Sequence, residues 1–469
     1  MKNIFISAHS SKYKDDYLSL KKRVENEYPE LRLRIIISEK KPLDEKLDED
    51  LIFLLGEDYE IDKSNHSPED TTRIIHSFSD YIPMDLFRSD LNFTLGSRSD
   101  DSLAYDQAYL SLKINEIFIK EPPDLVFASS GTNLIHSITY HLARMHKSKI
   151  FRVHSYLQSN IGFEGKRVWL CSNNEMKLSE NKLDKYDYDR KEVNSYIETL
   201  MNSIATRNNK LDQLSINFKS RRMPINIIDL LKDIFMFFAY LISNDKEKRL
   251  KKNYHSNRLN SLFNNFISQF FITKLKDVKG NGILFLLNTP YDSQILVRSP
   301  QYTDFSSLIS LISNLTPYGT EFLIREHPSF PGMITSRTFR KLLQKEKNIK
   351  LVSASEDLDK VLKHCKGVLI INNTAFIDAI INEKPVISIG NGYFKGKNLT
   401  IEVENLIELR DAFNKILSNR FLPNIETLKS VMIDQFYETY PGPGKKIDNK
   451  LEVITKAIYL RIRKIMDSQ

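Results

Sequence analysis

Short apolar runs alternate with longer amphipathic stretches along most of this chain. Asn3–Ser7 (NIFIS), Leu33–Ser38 (LRIIIS) and Leu51–Leu55 (LIFLL) have the length and composition of buried strands. Ser102–Lys120 carries apolar residues at Leu103, Ala108, Leu110, Leu112, Ile114 and Ile117, which predicts a helix ended by Pro122-Pro123. Asp124–Ala128 is the next strand, Ser129–Asn133 a tight turn, Leu134–Met145 a helix and Lys149–Val153 a further strand. Strands separated by helices imply parallel pairing with helical crossovers.

The rhythm changes between residues 179 and 279, where the chain is polar, charged and helical. Within it, Ile225–Ser243 is strongly apolar but contains Asp229, Lys232 and Asp233, which are costly inside a bilayer. It reads as a packed helix, with a membrane-surface contact as the alternative. The basic run Lys246–Lys252 (KEKRLKK) reads as a solvated face, with anionic lipid as the alternative.

The alternation resumes after residue 280. Gly282–Leu287, Phe322–Arg325, Lys350–Val352, Gly367–Ile371 and Pro385–Gly390 are strand-like. Tyr302–Leu315, Asp357–His364, Ala375–Ile381 and Leu406–Leu417 are helical, and Lys446–Met466 is a basic amphipathic helix. The expected architecture is α/β, with two Rossmann-like domains and a helical insertion between them. The boundaries fall at 1–178, 179–279 and 280–440, and residues 441–469 form a helix that packs back toward the first domain.

Length supports that division, since 469 residues exceed one comfortable core. A 41% hydrophobic and 27% charged composition is that of a globular chain. The net charge of +8, from 68 basic and 60 acidic residues, suits anionic substrates or an anionic membrane face. It is too balanced to imply nucleic acid, and no nucleic-acid motif is present. Cys171 and Cys365 form no disulfide or zinc pattern, so a cytoplasmic location is expected, with peripheral contact at the inner membrane face as a variant. The opening MKNIFIS reads as a first strand rather than a secretion signal.

Candidate chemistry collects behind four strands of the second half. Phe322-Leu-Ile-Arg-Glu-His-Pro328 delivers Arg325, Glu326 and His327 at a strand end, and Pro328 stops the ladder. Asn288–Gln294 offers Asp292, Ser293 and Gln294, with Arg298 close behind. Asn372, Asn373 and Thr374 open a helix that contains Asp378, and helix starts attract phosphate. Gly390–Lys397 brings two glycines for close backbone approach, Tyr393 or Phe394 for a base or sugar, and Lys395 or Lys397 for phosphate. Each loop taken alone also fits a plain turn or helix cap. Four such loops behind four strands of one parallel sheet would share an edge, where open α/β sheets bind ligands.

The first half offers weaker acceptor-side candidates: His9 after the first strand, Ser130, Gly131 and Thr132 after the fourth, and His154 after the fifth. His136 and His141 are five apart and off a shared helical face, so they read as packing residues, and no metal site is expected.

Residues from about 280 to 400 resemble the capsule polysaccharide biosynthesis family. The resemblance rests on Asp292–Pro300 (DSQILVRSP), Leu323–Pro328 (LIREHP), Asn372–Gly390 with its Glu383-Lys-Pro-Val-Ile387 centre, and Tyr393–Thr400 (YFKGKNLT), in that order. It implies a glycosyltransferase of the two-Rossmann-domain GT-B type, similar to bacterial Kdo transferases. Similar His-Pro motifs in sialyltransferase-like enzymes contact the phosphate of a CMP-linked donor. By resemblance, His327 and the Asn373–Thr374 helix start would do so here. Two departures stand out: Ala375 and Phe376 replace a glycine at the helix opening, and Ser129–Asn133 carries no carboxylate.

The resemblance therefore implies metal-independent transfer from a nucleotide sugar, such as CMP-Kdo or a related acidic sugar, to a glycan or glycolipid acceptor, with no bound cofactor. Catalytic candidates are Arg325, Glu326 and His327, and donor-binding candidates are the loop residues above with Gly390. The acceptor base is open among Asp100, Asp101, Asp124 and Glu164. A nucleotide-sugar epimerase or polyol-phosphate transferase, and a non-catalytic glycan-binding subunit, are the rival expectations.

Overall fold

The computed structural model describes residues 2–8, 10, 12, 14–40, 48–57, 59–90, 98–155, 167–172, 178–180, 182, 185–205, 227–242, 246–289, 292–328, 331–332, 334, 337–441 and 450–468. Two compact units divide the chain. One holds residues 1–94, 98–193 and 434–469; the other holds 95–97 and 194–433.

In the first unit the elements run β1 (Lys2–Ala8), α1 (Lys14–Glu27), β2 (Leu31–Lys40), β3 (Leu51–Leu55), α2 (Tyr59–Asn65), α3 (Pro68–Ser77), α4 (Asp100–Lys120), β4 (Leu125–Ser129), α5 (Leu134–Met145), β5 (Lys149–Ser155) and β6 (Arg167–Cys171). The sheet order is β13-β6-β5-β4-β1-β2-β3, where β13 (Thr439–Pro441) comes from the far end of the chain. Strands β1 to β5 pair in parallel. Alternate residues serve opposite faces, as strand geometry requires. Ile4, Ile6, Leu33, Ile35, Phe127 and Phe151 pack with residues of α1 and of the terminal helix Lys450–Asp467. Phe5, Ile36, Val126 and Ile150 pack with α4 and α5.

Two antiparallel strands extend this sheet beyond the parallel rhythm. β6 pairs antiparallel with β5, and β13 antiparallel with β6. β13 is only three residues long, too short for a periodic signal. It is fixed by tertiary contacts: Arg167 Nε donates to Thr439 Oγ1 at 2.8 Å, and Trp169 Nε1 donates to Glu438 Oε2 at 2.8 Å.

The second unit contains α6 (Arg190–Ala205) almost whole, α7 (Ile227–Leu241), α8 (Lys246–Ser268), β7 (Gly282–Leu286), the single turn α9 (Ser293–Leu296), α10 (Phe305–Leu315), β8 (Phe322–Arg325), α11 (Arg337–Lys345), β9 (Ile349–Val352), α12 (Leu358–Lys363), β10 (Cys365–Ile370), α13 (Phe376–Ile381), β11 (Val386–Ser388), β12 (Ile401–Glu402), α14 (Leu409–Leu417) and most of α15 (Ile425–Tyr437). Its sheet is parallel throughout, in the order β12-β11-β10-β7-β8-β9. Ile283, Phe285, Phe322, Ile324, Leu369 and Ile387 form one face, covered by α10 and α14. These central strands are fully buried, which explains their near-continuous apolar sequences. The described residues thus form an α/β protein with two largely parallel sheets. The helix Lys450–Asp467, here α16, lies within the first unit. No helix among the described residues is long and apolar enough to cross a membrane.

Candidate functional site

Four consecutive strands of the second sheet, β8, β7, β10 and β11, run in the same direction. Their carboxyl ends therefore release the loops after Leu286, Arg325, Ile370 and Ser388 along one edge of that sheet. The sequence-predicted donor residues Asp292, Gln294, His327, Asn372, Asn373, Thr374, Gly390 and Tyr393 all lie in those loops or at the helix starts they lead into.

Asn372 is the junction of three of these loops. Its backbone is left-handed, with φ of 50°, a conformation that asparagine tolerates better than most residues. Its Nδ2 donates to Ser299 Oγ at 2.8 Å and to Gln294 O at 3.2 Å. Both partners belong to the segment after β7, so the side chain ties that segment to the end of β10. Gly390, after β11, closes on the same side chain. A Cβ at Gly390 would fall 2.8 Å from Asn372 Cγ, so glycine is required by contact rather than by dihedral angle. The Oδ1 of Asn372 and that of Asn288 are buried acceptors with no hydrogen-bond partner among the described residues. Ser299 and Asn288 lie in the same strand-end loops, and nothing in their local sequence pattern separates them from ordinary loop polar residues.

The Arg-Glu-His motif divides into three roles. Arg325 is buried, and its Nη2 donates to the carbonyls of Ala354 at 3.2 Å and Glu356 at 2.9 Å. Its guanidinium thereby fastens the loop after β9. Burial draws its pKa down to about 10, opposed by the carboxylates of Asp357, Asp378 and Glu356, so it stays charged at neutral pH. Glu326 is buried as well. Its carboxylate accepts from Gly332 N at 2.8 Å and Ile334 N at 2.9 Å, which fixes the loop that follows. His327 is half-buried. Burial, then the nearby Arg325 charge, push its pKa down to about 4, leaving a neutral imidazole at physiological pH.

The helix opening is built by local capping. Asn373 Oδ1 accepts from Ala375 N at 2.9 Å, and Ile377 N donates to Thr374 O at 3.1 Å. Asp378 is buried in the first turn of α13. Asp292 caps α9 through Gln294 N at 2.9 Å, and burial raises its pKa against the pull of Arg298. Ser293 begins that turn. In the loop after β11, Phe394 is core rather than a face for a ligand: it is 2% exposed, with its ring centroid 4.1 Å from that of Phe376. Tyr393 is half-buried beside both rings. Lys395 is paired with Glu404 at 2.8 Å, while Lys397 is half-buried on the following turn.

In the first unit, the turn after β4 meets the carboxyl end of β5. Ser130 Oγ lies 2.7 Å from His154 Nδ1, and Ser130 N donates to Val153 O. Gly131 N donates to Ser129 Oγ at 3.3 Å, and Thr132 follows it toward α5. His136 is a packing residue bonded through Nδ1 to Ser7 Oγ at 2.7 Å. His9 and Glu164 lie outside the described residues. Of the carboxylates considered for acceptor chemistry, Asp124 sits at the amino end of β4, where its Oδ2 accepts from Asn3 N, on the edge opposite the loops. Asp100 and Asp101 are exposed in the first turn of α4. A carboxylate from a distant segment reaches the end of the Ser129–Asn133 turn. Buried Asp90 accepts from Leu134 N at 3.2 Å, at the start of α5. No local signal marks that pairing across 44 positions. No group of three potential metal ligands occurs among the described residues.

Comparison with known proteins bears out the resemblance carried by the motifs. Residues 237–419 match the family described as capsule polysaccharide biosynthesis protein. The Escherichia coli capsule polysaccharide export protein KpsS is 32% identical over 126 residues, a match that covers 25% of this chain and 32% of that protein. The chain thus spans about a third of its curated relative. Among solved structures, Thermosulfurimonas dismutans KpsC, a beta Kdo 2,7 transferase, aligns over 98% of this chain and 100% of its own, with 10% identity and a TM-score of 0.36. The Methanocaldococcus jannaschii UDP-GlcNAc 2-epimerase aligns over 100% of each chain, with 13% identity and a TM-score of 0.26.

Proposed function

We propose that this chain is a glycosyltransferase of surface-polysaccharide assembly, taking its sugar from a nucleotide-activated donor and passing it to a glycan or glycolipid. The observation that carries this reading is the convergence of four polar loops on one edge of the second sheet, beside the family match over the same residues. An acidic sugar such as Kdo, carried on CMP, is the donor class favoured by the His327-Pro328 motif and the positive charge of Arg325.

Departure of the nucleotide builds negative charge on a phosphate oxygen, and groups already aimed at that oxygen lower the barrier. Neutral His327 would donate a ring N–H to it. Arg325 would act through its field and by holding the loop after β9, since its Nη2 is engaged by carbonyls. Glu326 is a positioning residue, with its oxygens on backbone N–H groups. Asn372 would set the spacing between the loops that frame the donor.

The acceptor hydroxyl needs a base as it attacks. Asp90 is the carboxylate best suited among those of the first unit, because it lies at the start of α5, the helix that follows the Ser130 turn. A thermal-shift screen against CMP, UDP, GDP and CDP compounds tests donor binding, since a ligand of the native state raises the melting temperature. Stabilisation by a cytidine nucleotide, followed by transfer of labelled sugar to an acceptor, is expected. An unchanged melting temperature with all four classes would overturn the reading, and isomerised free donor would identify an epimerase instead.

A further inference from the structure

α7, packed against α8, presents an exposed apolar face. Polar Asp233 is 2% exposed, with its Oδ1 2.8 Å from His255 Nδ1 across the pair. On the other side of α7, Leu231, Phe235 and Phe238 are 59%, 70% and 57% exposed, and Ile242 just beyond it is 80% exposed. These positions recur at the three- and four-residue spacing that puts them on one helical face. A helix of a soluble domain ordinarily buries that face and shows the other.

The far end of the pair is anchored. Arg340 Nη1 donates to Asn264 Oδ1 at 2.8 Å, Thr273 N donates to Leu351 O at 2.8 Å, and Ile272 packs against the core of the second unit. The sequence at the other end is basic. Where the apolar face ends at Ile242, the chain enters Lys246-Glu-Lys-Arg-Leu-Lys-Lys252, which places five basic residues and one acidic residue in the first turns of α8.

We propose that α7 lies in the surface of an anionic bilayer, with Leu231, Phe235, Phe238 and Ile242 among the acyl chains and the Lys246–Lys252 run against lipid phosphates. An apolar face bordered by a basic run is the pairing that interfacial helices use. The Asp233–His255 contact and the hairpin geometry keep α7 in the plane of the surface rather than across it. This inference goes beyond the proposed transfer reaction and does not depend on the sugar.

The test is sedimentation of the full chain with phosphatidylcholine vesicles, with and without phosphatidylglycerol. Binding to the phosphatidylglycerol vesicles is expected, weakened by salt. It should fall about tenfold or more in Phe235→Ser/Phe238→Ser and several-fold in Lys248→Glu/Arg249→Glu. If the first variant fails to fold, Phe238→Trp gives a second readout, a blue-shifted emission on adding those vesicles. Wild type that stays in solution with both vesicle types overturns the proposal. So does a serine variant that folds and binds as wild type does, and so does a dimer dispersed by the serine substitutions without vesicle binding, which would assign the face to a second copy. Nucleotide thermal shifts on the same variants should be unchanged, so failure of donor binding and failure of membrane binding are read separately.

Discussion

Asn372 Nδ2 donates to Ser299 Oγ at 2.8 Å, and with that bond two neighbouring strand-end loops of the second sheet are held at fixed spacing. Ser299 is fully buried and Asn372 nearly so, which makes the contact a structural one. Gly390 closes the arrangement from the third loop. Gly390→Ala should push the Asn372 side chain out of place. Thermal unfolding should show a loss of about 1–3 kcal/mol, together with weaker nucleotide stabilisation. An alanine variant that matches wild type in both would remove Asn372 from this role.

His327 should matter for turnover far more than for stability. In the proposed reaction its half-buried ring donates to the leaving phosphate, so His327→Ala should lower the transfer rate by about a hundredfold or more, while the melting temperature changes little. Turnover close to wild type in a folded His327→Ala protein would eliminate the phosphate-gripping role.

Glu326 should show the opposite balance. Removing its carboxylate strands two buried backbone N–H donors, those of Gly332 and Ile334. Glu326→Ala should destabilise the fold by about 2–4 kcal/mol, and Glu326→Gln, which keeps one acceptor oxygen, by less. Equal stability of both variants and wild type by chemical denaturation would contradict the loop-fixing assignment.

Acid should destabilise the protein through two half-buried histidines. The pKa values of His327 and His141 are both pushed down to about 4 from an ordinary 6.5, chiefly by burial and secondarily by neighbouring arginines. Between about pH 6.5 and pH 4 the unfolded chain therefore binds more protons than the folded one. Their neutral forms contribute stability that is fully present above about 6.5 and falls away as pH drops toward 4, roughly 1–3 kcal/mol for each. Denaturation midpoints across this range should decline, and His327→Gln should flatten part of the decline. A nucleotide phosphate beside His327 would raise its pKa, so calorimetry near pH 6 in buffers of different ionisation enthalpy should register proton uptake on donor binding.

Asp90→Asn separates capping from base chemistry. The amide oxygen can still accept from Leu134 N, so the fold should hold while the transfer rate falls about a hundredfold. Retained transfer would leave Asp90 as a cap for α5 alone.

Much of the fold was legible because it rests on local pattern. The strands Leu51–Leu55 and Phe322–Arg325 and the helix Leu134–Met145 agree with their sequence boundaries residue for residue. Their apolar spacing and flanking breakers were enough to define them. Pro328, Asn372–Thr374 and Gly390 likewise marked strand ends where polar groups collect. β6 and β13 were not legible, since their pairing depends on Glu438 and Thr439 meeting Trp169 and Arg167 across some 270 positions.

The sequence by itself determined that the second half would offer arginine, glutamate and histidine together at one strand end, and which family its motifs resemble. Tertiary structure decided what each of those side chains does. Arg325 and Glu326 are turned to backbone partners of neighbouring loops, His327 is left neutral by burial, and Asp90 arrives at the α5 start from a segment with no sequence mark. The reason is physical. Strand and helix periodicity is set by neighbours along the chain, whereas hydrogen-bond partners, burial and the proton affinities they control are set by residues that only folding brings into contact.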